Sequence, residues 1–367
     1  MSLINSFNGI RPKVRFANKI TSPHISYLNK PKISKEANFL NILNSKKIST
    51  GKKMLDKLKK LNKIKRDDLK SYYLYKITYK KKSIQGIVGK INLDNYDDKK
   101  ILGHEETFSD RIRKRKKQLI KFSTQISPIY TAYKINFKKK VKLNKLFMGK
   151  ATYRLKSKDD CMHEMWIINK KSRKKIVENY LKGIKRIFIC DGHHRIQAML
   201  KSKKKIAPMV IAFPDKQVSI LDYNRVVKSK IKFEKLKKII LKKFSIQKLK
   251  RNRVPKNGEI QMFSNNSWYL LNLLKKQKEL DVTILKKNIL NKIVRNDKAI
   301  KYISGIKGRK ILEKYVQSKE FNLAFRMCPT DISQVISFAE KRKFMPPKST
   351  WFHPKPLDGL ISSEIIY

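Results

Sequence analysis

"RIFICDGHHRIQAML", residues 186–200, runs from an apolar stretch of strand length into a short helical pattern. An acid, a glycine, two histidines and an arginine stand at the junction. Ile187, Phe188 and Ile189 are the residue types of a buried strand. Gly192 permits a backbone geometry closed to residues with a Cβ, so the strand can turn sharply into the helix. Such a turn presents the first helical N–H groups outward, where they and the helix dipole favour an anion. Arg195 adds a planar donor fork suited to phosphate oxygens. His193 and His194 donate or accept according to protonation. Asp191 can hold a divalent cation or orient a histidine. Asp191, Gly192, His193, His194 and Arg195 are therefore candidates for binding phosphate. The plainer alternative is a capped helix start with Asp191 as its carboxylate. Zinc fits less well, because two adjacent histidines do not easily face one metal.

Around this turn the texture is mixed. "YYLYKITYKKKSIQGIVGKINL" (72–93) predicts two strands joined by a Lys-rich turn. "SPIYTAYKINF" (127–137) and "HEMWIIN" (163–169) predict further strands, the latter placing His163 and Trp166 on a strand face rather than in a ligand set. "KKIVENYLKGI" (174–184) predicts a helix, and "APMVIAF" (207–213) and "VSILDYNRVV" (218–227) predict strands. Residues 1–50 read as irregular, and 51–70 as a Lys-rich amphipathic helix. Beyond 230 come a basic helix in 232–244 and a hairpin around Asn265 and Asn266. No internal repeat or regular βαβ alternation is present. The expected fold class is α+β, with a nucleotide-binding region over 1–230 and a C-terminal α+β extension over 231–367.

The chain has 367 residues, 40% of them hydrophobic, enough for a real core. Its 90 Lys+Arg against 28 Asp+Glu give a formal charge of +62. Such a chain binds polyanions non-specifically at low salt. The excess is mostly Lys, spread throughout and accompanied by Ile and Asn. All three have A/T-rich codons, so genome composition suffices to explain it. No helix-turn-helix pattern and no compact basic domain point to a specific nucleic-acid partner. Cys161, Cys190 and Cys328 form no CxxC pair, so neither a disulfide framework nor a cysteine-rich zinc site is expected. No apolar run reaches the length of a membrane span, and the N-terminus lacks the apolar core of a signal peptide. A cytoplasmic protein without a membrane partner is expected.

A second cluster, "ILGHEETFSDRIRKRKK" (101–117), sets His104 beside Glu105, followed by Asp110, Arg111 and a basic run. A general base acting on a small hydroxyl substrate needs such a carboxylate. Equally, acids are favoured in the first turn of a Lys-rich helix.

Taken in order, five segments resemble domain-of-unknown-function family 1015, the free-serine kinase-like proteins of the partition-protein B and sulfiredoxin superfamily. "INSFNGIRPK" (4–13) is similar to the family's Phe-x-Gly-Leu-Arg-Pro opening, and "GHEETFSDR" (103–111) to its His-Glu-x-Thr segment. "FICDGHHR" (188–195), "LDYNRVV" (221–227) and "MPPKSTWFHPKPLDGL" (345–360) match its later motifs. The chain departs from the family at "TSPHISYL" (21–28), where His24 and Ile25 stand in place of a common Tyr-Asp pair.

The resemblance implies a partition-protein B/sulfiredoxin-like mixed-sheet core. It also implies phosphoryl transfer from ATP or ADP, with Mg²⁺, to the hydroxyl of a small molecule, free L-serine giving O-phospho-L-serine. Glu105, with His104, would be catalytic, and Asp191 would hold the Mg²⁺. Arg111, Asn224, Arg225, Lys348 and Ser349 are additional candidates. No Walker-type phosphate loop is present. A non-catalytic regulator that binds nucleotide or phosphoserine is the alternative, and a DNA-associated protein a more remote one.

Overall fold

The computed structural model describes residues 2–28, 31–97, 99–135, 137–202, 206–275, 277 and 279–365. Contacts divide the chain into two compact units, one of 1–219 with 336–344 and 354–367, the other of 220–335 with 345–353. Each is α+β.

The first unit is built on a nine-stranded mixed sheet. Its strands are β1 (Ile4–Asn5), β2 (Tyr72–Tyr79), β3 (Lys82–Ile91), β4 (Ile101–Leu102), β5 (Ile129–Tyr133), β6 (Tyr153–Lys156), β7 (Cys161–Ile168), β8 (Ile187–Asp191) and β9 (Met209–Pro214). The order across the sheet is β4-β8-β5-β9-β3-β2-β7-β6, with β1 paired to β3. β9 runs parallel to β5, and β8 parallel to β4, while β8 is antiparallel to β5 and β9 antiparallel to β3. The apolar runs within 72–93, 127–137, 163–169, 187–191 and 207–213 became strands of this sheet, most of them buried near its centre. Leu74, Ile87, Ile129, Ile187, Ile189 and Val210 share one core with helix residues, among them Val177 and Ile196.

Three helices position the site: α1 (Ser109–Phe122), α2 (Lys171–Lys182) and α3 (His193–Leu200). Ile112 and Leu119 of α1 pack with Ala198 and Met199 of α3. Ile112 and Leu119, seven residues apart, lie on one helical face, so the apolar spacing of this helix selects the contact. Where an unbroken helix was predicted over 51–70, the helix covers Ile48–Lys60 and a strand follows over Ile64–Arg66. Asn62, at φ 50°, breaks the helix. The following residues pair with Gly9–Pro12, a partner that local periodicity cannot reveal. Gly9–Pro12 pairs in turn with Ser362–Glu364, which reaches Thr124–Gln125, forming a small second sheet.

The opening motif is structural. Arg11, 8% exposed, holds the Asp67 carboxylate through Nε at 2.8 Å and Nη2 at 2.8 Å, and donates through Nη1 to the Tyr153 hydroxyl at 2.7 Å. Tyr73 donates to the same carboxylate at 2.7 Å and accepts from the Gly9 N–H at 2.8 Å.

The second unit carries a six-stranded sheet that includes Tyr223–Val227, Glu259–Ser264, Ser267–Leu273, Ile300–Ser304 and Leu323–Met327. The predicted hairpin forms with Asn265 and Asn266 at φ 47° and 56°, the left-handed pair that a tight hairpin turn requires. "VSILDYNRVV" is two strands, Ser219–Leu221 and Tyr223–Val227, rather than one.

Candidate active site

β8 ends on Asp191, Gly192 follows at φ 115°, and α3 starts at His193. A Cβ at 192 would lie 3.0 Å from the Arg195 guanidinium, so the turn needs glycine for both its torsion and its clearance. The tight turn sends Asp191 and Arg195 one way and His193 and His194 another.

Asp191 and Arg195 line a cleft of about 180 Å³, together with His24, Arg115, Ser127 and Asp358. The Lys355 ammonium donates to Asp191 Oδ2 in a close ion pair. Arg195 is fixed by a 2.7 Å hydrogen bond from Nη1 to the Ser127 carbonyl. The Ser127 hydroxyl donates to the Asp358 carboxylate. Burial acts to raise the Asp191 pKa, but Lys355 and then Arg195 outweigh it and hold the carboxyl well below the usual range. Asp358 is shifted the other way, upward, chiefly by burial. His24, whose Nδ1 lies 2.6 Å from the Ser26 hydroxyl, is lowered to about 3 by burial and by the nearby Lys355. A neutral imidazole thus stands in the cleft.

Lys355 and Asp358 were not singled out in the sequence. The one available signal was the Pro-Lys-Pro-Leu-Asp-Gly run directly after the "MPPKST" match. Asp358 is brought to the cleft by backbone pairing with Ser22, its N–H donating to the Ser22 carbonyl at 2.8 Å.

Asp191 was a candidate Mg²⁺ ligand. Its Oδ2 is engaged by Lys355 and its charge is opposed by Arg195 as well, with Arg115 on the same cleft. Three cations beside two carboxylates fit a bound anion better than a resident metal.

The two histidines dock the second motif. The His104 N–H donates to His193 Nε2 at 3.2 Å, and the Phe108 N–H donates to His194 Nε2 at 3.2 Å. With its Nε2 accepting, neutral His193 carries its proton on Nδ1, which faces Glu105 Oε2 at 3.5 Å. His104 packs edge-on against His193, with ring centroids 4.6 Å apart, and its Nδ1–H donates to the Ile189 carbonyl at 2.9 Å. Burial, then His193, lowers His104 to about 3, so it is a neutral supporting group, 1% exposed. Glu105 lines a second cavity of about 170 Å³ with Gly103, His193, Gln197 and Phe344. Glu106 is exposed. Arg111 lies over the Phe108 ring at 5.4 Å.

The remaining candidates belong to the second unit. Asn224 donates to Asp222 at 2.7 Å and accepts from the Met327 N–H at 3.0 Å. Arg225 donates to the Lys348 carbonyl at 3.4 Å, the Lys348 ammonium lies 5.5 Å from the Tyr223 ring centre, and Ser349 donates to the Pro346 carbonyl at 2.6 Å. These four form one local group.

The chain belongs to the family described as "Protein of unknown function (DUF1015)", whose profile matches residues 4–284. Among solved structures it is similar to SbnI with C-terminal truncation from Staphylococcus aureus, at 13% identity and a TM-score of 0.43, over 74% of this chain and 85% of that one. It is also similar to a free serine kinase in complex with AMP, at 13% identity and a TM-score of 0.38, over 74% and 92% of the two chains. A conserved hypothetical protein from Pyrococcus furiosus matches at 12% identity and a TM-score of 0.39, over 76% of this chain and 95% of that one. No curated protein matches the chain. No helix among the described residues is long and apolar enough to cross a membrane.

Proposed function

We propose that this protein binds ATP or ADP and transfers a phosphoryl group to the hydroxyl of a small molecule. Free L-serine, giving O-phospho-L-serine, is the acceptor that the motif resemblance implies. The observation that carries the reading is the convergence of Lys355 and Arg195 on Asp191, which lines the cleft with Arg195. Fixed cations at a helix start are what the oxygens of a phosphate need, and phosphoryl transfer is mostly positioning and charge neutralisation. Mg²⁺ in this reading arrives with the nucleotide phosphates rather than in a protein site. Region 1–230 supplies the turn and the base, and 231–367 completes the site through Lys355 and Asp358.

In the reaction, Glu105 takes the proton of the acceptor hydroxyl as its oxygen attacks the terminal phosphorus. The bond from that phosphorus to the nucleotide's bridging oxygen breaks, and the nucleotide leaves one phosphate shorter. His193 and His194 are positioning residues: they hold the 104–108 segment and orient Glu105. Arg111 would steer the anionic substrate. Asn224, Arg225, Lys348 and Ser349 remain proposed accessories.

A second reading, a nucleotide- or phosphoserine-binding regulator, is favoured by one observation. Glu105 and Asp191 line different cavities. Incubation with Mg²⁺, ATP or ADP, and a panel of free hydroxy-amino acids separates the two. Mass spectrometry should find O-phospho-L-serine. Tight nucleotide binding with no phosphorylated product establishes the regulator. Absence of product and of binding to both nucleotide and O-phospho-L-serine rejects both.

A further inference from the structure

On the opposite wing of the main sheet from β8, β6 and β7 form a hairpin whose turn, 157–160, carries Asp159. The turn is well fixed. The Ser157 N–H donates to the Cys161 carbonyl at 2.9 Å, the Asp160 N–H to the Ser157 carbonyl at 3.1 Å, and Asp160 sits at φ 60°. Cys161 and His163 follow two residues apart on β7, and their side chains share one face of the strand. Both are 0% exposed. The sequence reading took His163 as part of a strand face, which it is, and that face also bears the thiol.

The donor atoms of Asp159, Cys161 and His163 all lie within 4.8 Å of one another. Asp159 Oδ1 accepts from the Ser157 hydroxyl. Its other oxygen, Oδ2, is buried with no hydrogen-bond partner among the described residues. A buried carboxylate oxygen without a partner is costly and asks for a cation or a donor. Cys161 makes a weak 3.7 Å contact to the Asp159 carbonyl, and burial, then the neighbouring Asp159 carboxylate, pushes its thiol up. The His163 ring is held from behind, with Nδ1 3.0 Å from the Tyr75 hydroxyl, while Nε2 faces Ser157 at 3.0 Å. Tyr75 itself accepts the Leu357 N–H at 3.0 Å. The Tyr75 hydroxyl fixes the ring through Nδ1, and Nε2 faces the turn that carries the other donors, where an ion would replace its contact with Ser157.

We propose that Asp159, Cys161 and His163 form a binding site for a zinc-class divalent ion. A thiolate, an imidazole and one carboxylate are the donors zinc selects, whereas magnesium and calcium want oxygen alone. Tetrahedral bonds of about 2.0–2.3 Å place donors about 3.3–3.8 Å apart. With all three donor atoms within 4.8 Å of one another, the set has to close by at most about 1–1.5 Å. Three protein donors leave a fourth position for water or another ligand. A hydrogen-bonded network of Tyr75, His163, Ser157 and Asp159 with no ion is the competing account.

The test uses the full chain, stripped with chelator and titrated with Co²⁺ and then Zn²⁺. Co²⁺ should bind at one equivalent with the near-ultraviolet thiolate-to-cobalt charge-transfer band and visible bands of tetrahedral intensity, and Zn²⁺ should displace it. Cys161→Ser should abolish the charge-transfer band. Asp159→Asn, a change on the turn that leaves the core intact, should weaken Zn²⁺ at least about tenfold, one lost charged ligand being worth at least that. Circular dichroism checks that each variant is folded. A parent protein with no thiolate–cobalt band overturns the proposal, as does Zn²⁺ affinity unchanged in folded Asp159→Asn. If Cys161→Ser does not fold, the parent spectrum and Asp159→Asn decide.

Discussion

Lys355 and Asp191 are 164 positions apart and form a close ion pair at the cleft. In the proposed reading this contact makes the turn an anion site, because it brings a second cation beside Arg195. Lys355→Met should weaken ATP and ADP binding by about ten- to a hundredfold, the loss of one charge-assisted contact. Calorimetric titration showing parent-like nucleotide affinity would remove Lys355 from the site.

Glu105→Gln should keep nucleotide binding and lower turnover by about two to four powers of ten, the span of a general base. The amide keeps size and hydrogen bonding but cannot accept the proton. Glu106→Gln is the control, because Glu106 is exposed while Glu105 faces His193. Steady-state assays of the two variants give a clear outcome: equal activities place the base elsewhere.

Arg11→Ala should cost about 3–5 kcal/mol, the penalty for removing one partner of a buried ion pair. The Asp67 carboxylate, with a side chain 10% exposed, would be left with Tyr73 as its main donor. Urea unfolding of parent and variant measures this. A loss below about 1 kcal/mol would show that the opening motif is not the anchor described here.

Acid should destabilise the protein well above the carboxylate range. His104 and His163 are both lowered from 6.5 to about 3, chiefly by burial. In the unfolded chain they charge as pH falls through the ordinary histidine range, while in the folded chain they stay neutral. The unfolded state therefore binds more protons between these limits, so this contribution is complete above pH 6.5 and is lost as pH falls toward 3. With His24, also lowered to about 3, three such groups give a limiting slope of about 4 kcal/mol per pH unit. Urea unfolding in chelator-containing buffers from about pH 7 to about pH 5 tests the slope, and His104→Asn should lower it by about a third. A flat profile would falsify the assignment of neutral buried histidines.

Signals within a few residues were enough for much of this molecule. The apolar run 187–189 followed by Gly192 determined a strand, a turn and a helix start, because torsional freedom and side-chain pattern act locally. Asn265 and Asn266 determined a hairpin for the same reason. The motif order determined the family. What the sequence did not determine was which groups meet across the chain. Asp191 and Arg195 separate from His193 and His194 because a helix start points successive side chains in different directions. Lys355 reaches Asp191, and Asp358 reaches Ser127, because the C-terminal segment pairs with Ser22 and then threads between two strands of the small sheet. Strand partners are chosen by the burial and hydrogen bonding of the whole core. The tertiary structure alone therefore decided which charges share the cleft, and placed Glu105 against His193 in a cavity of its own.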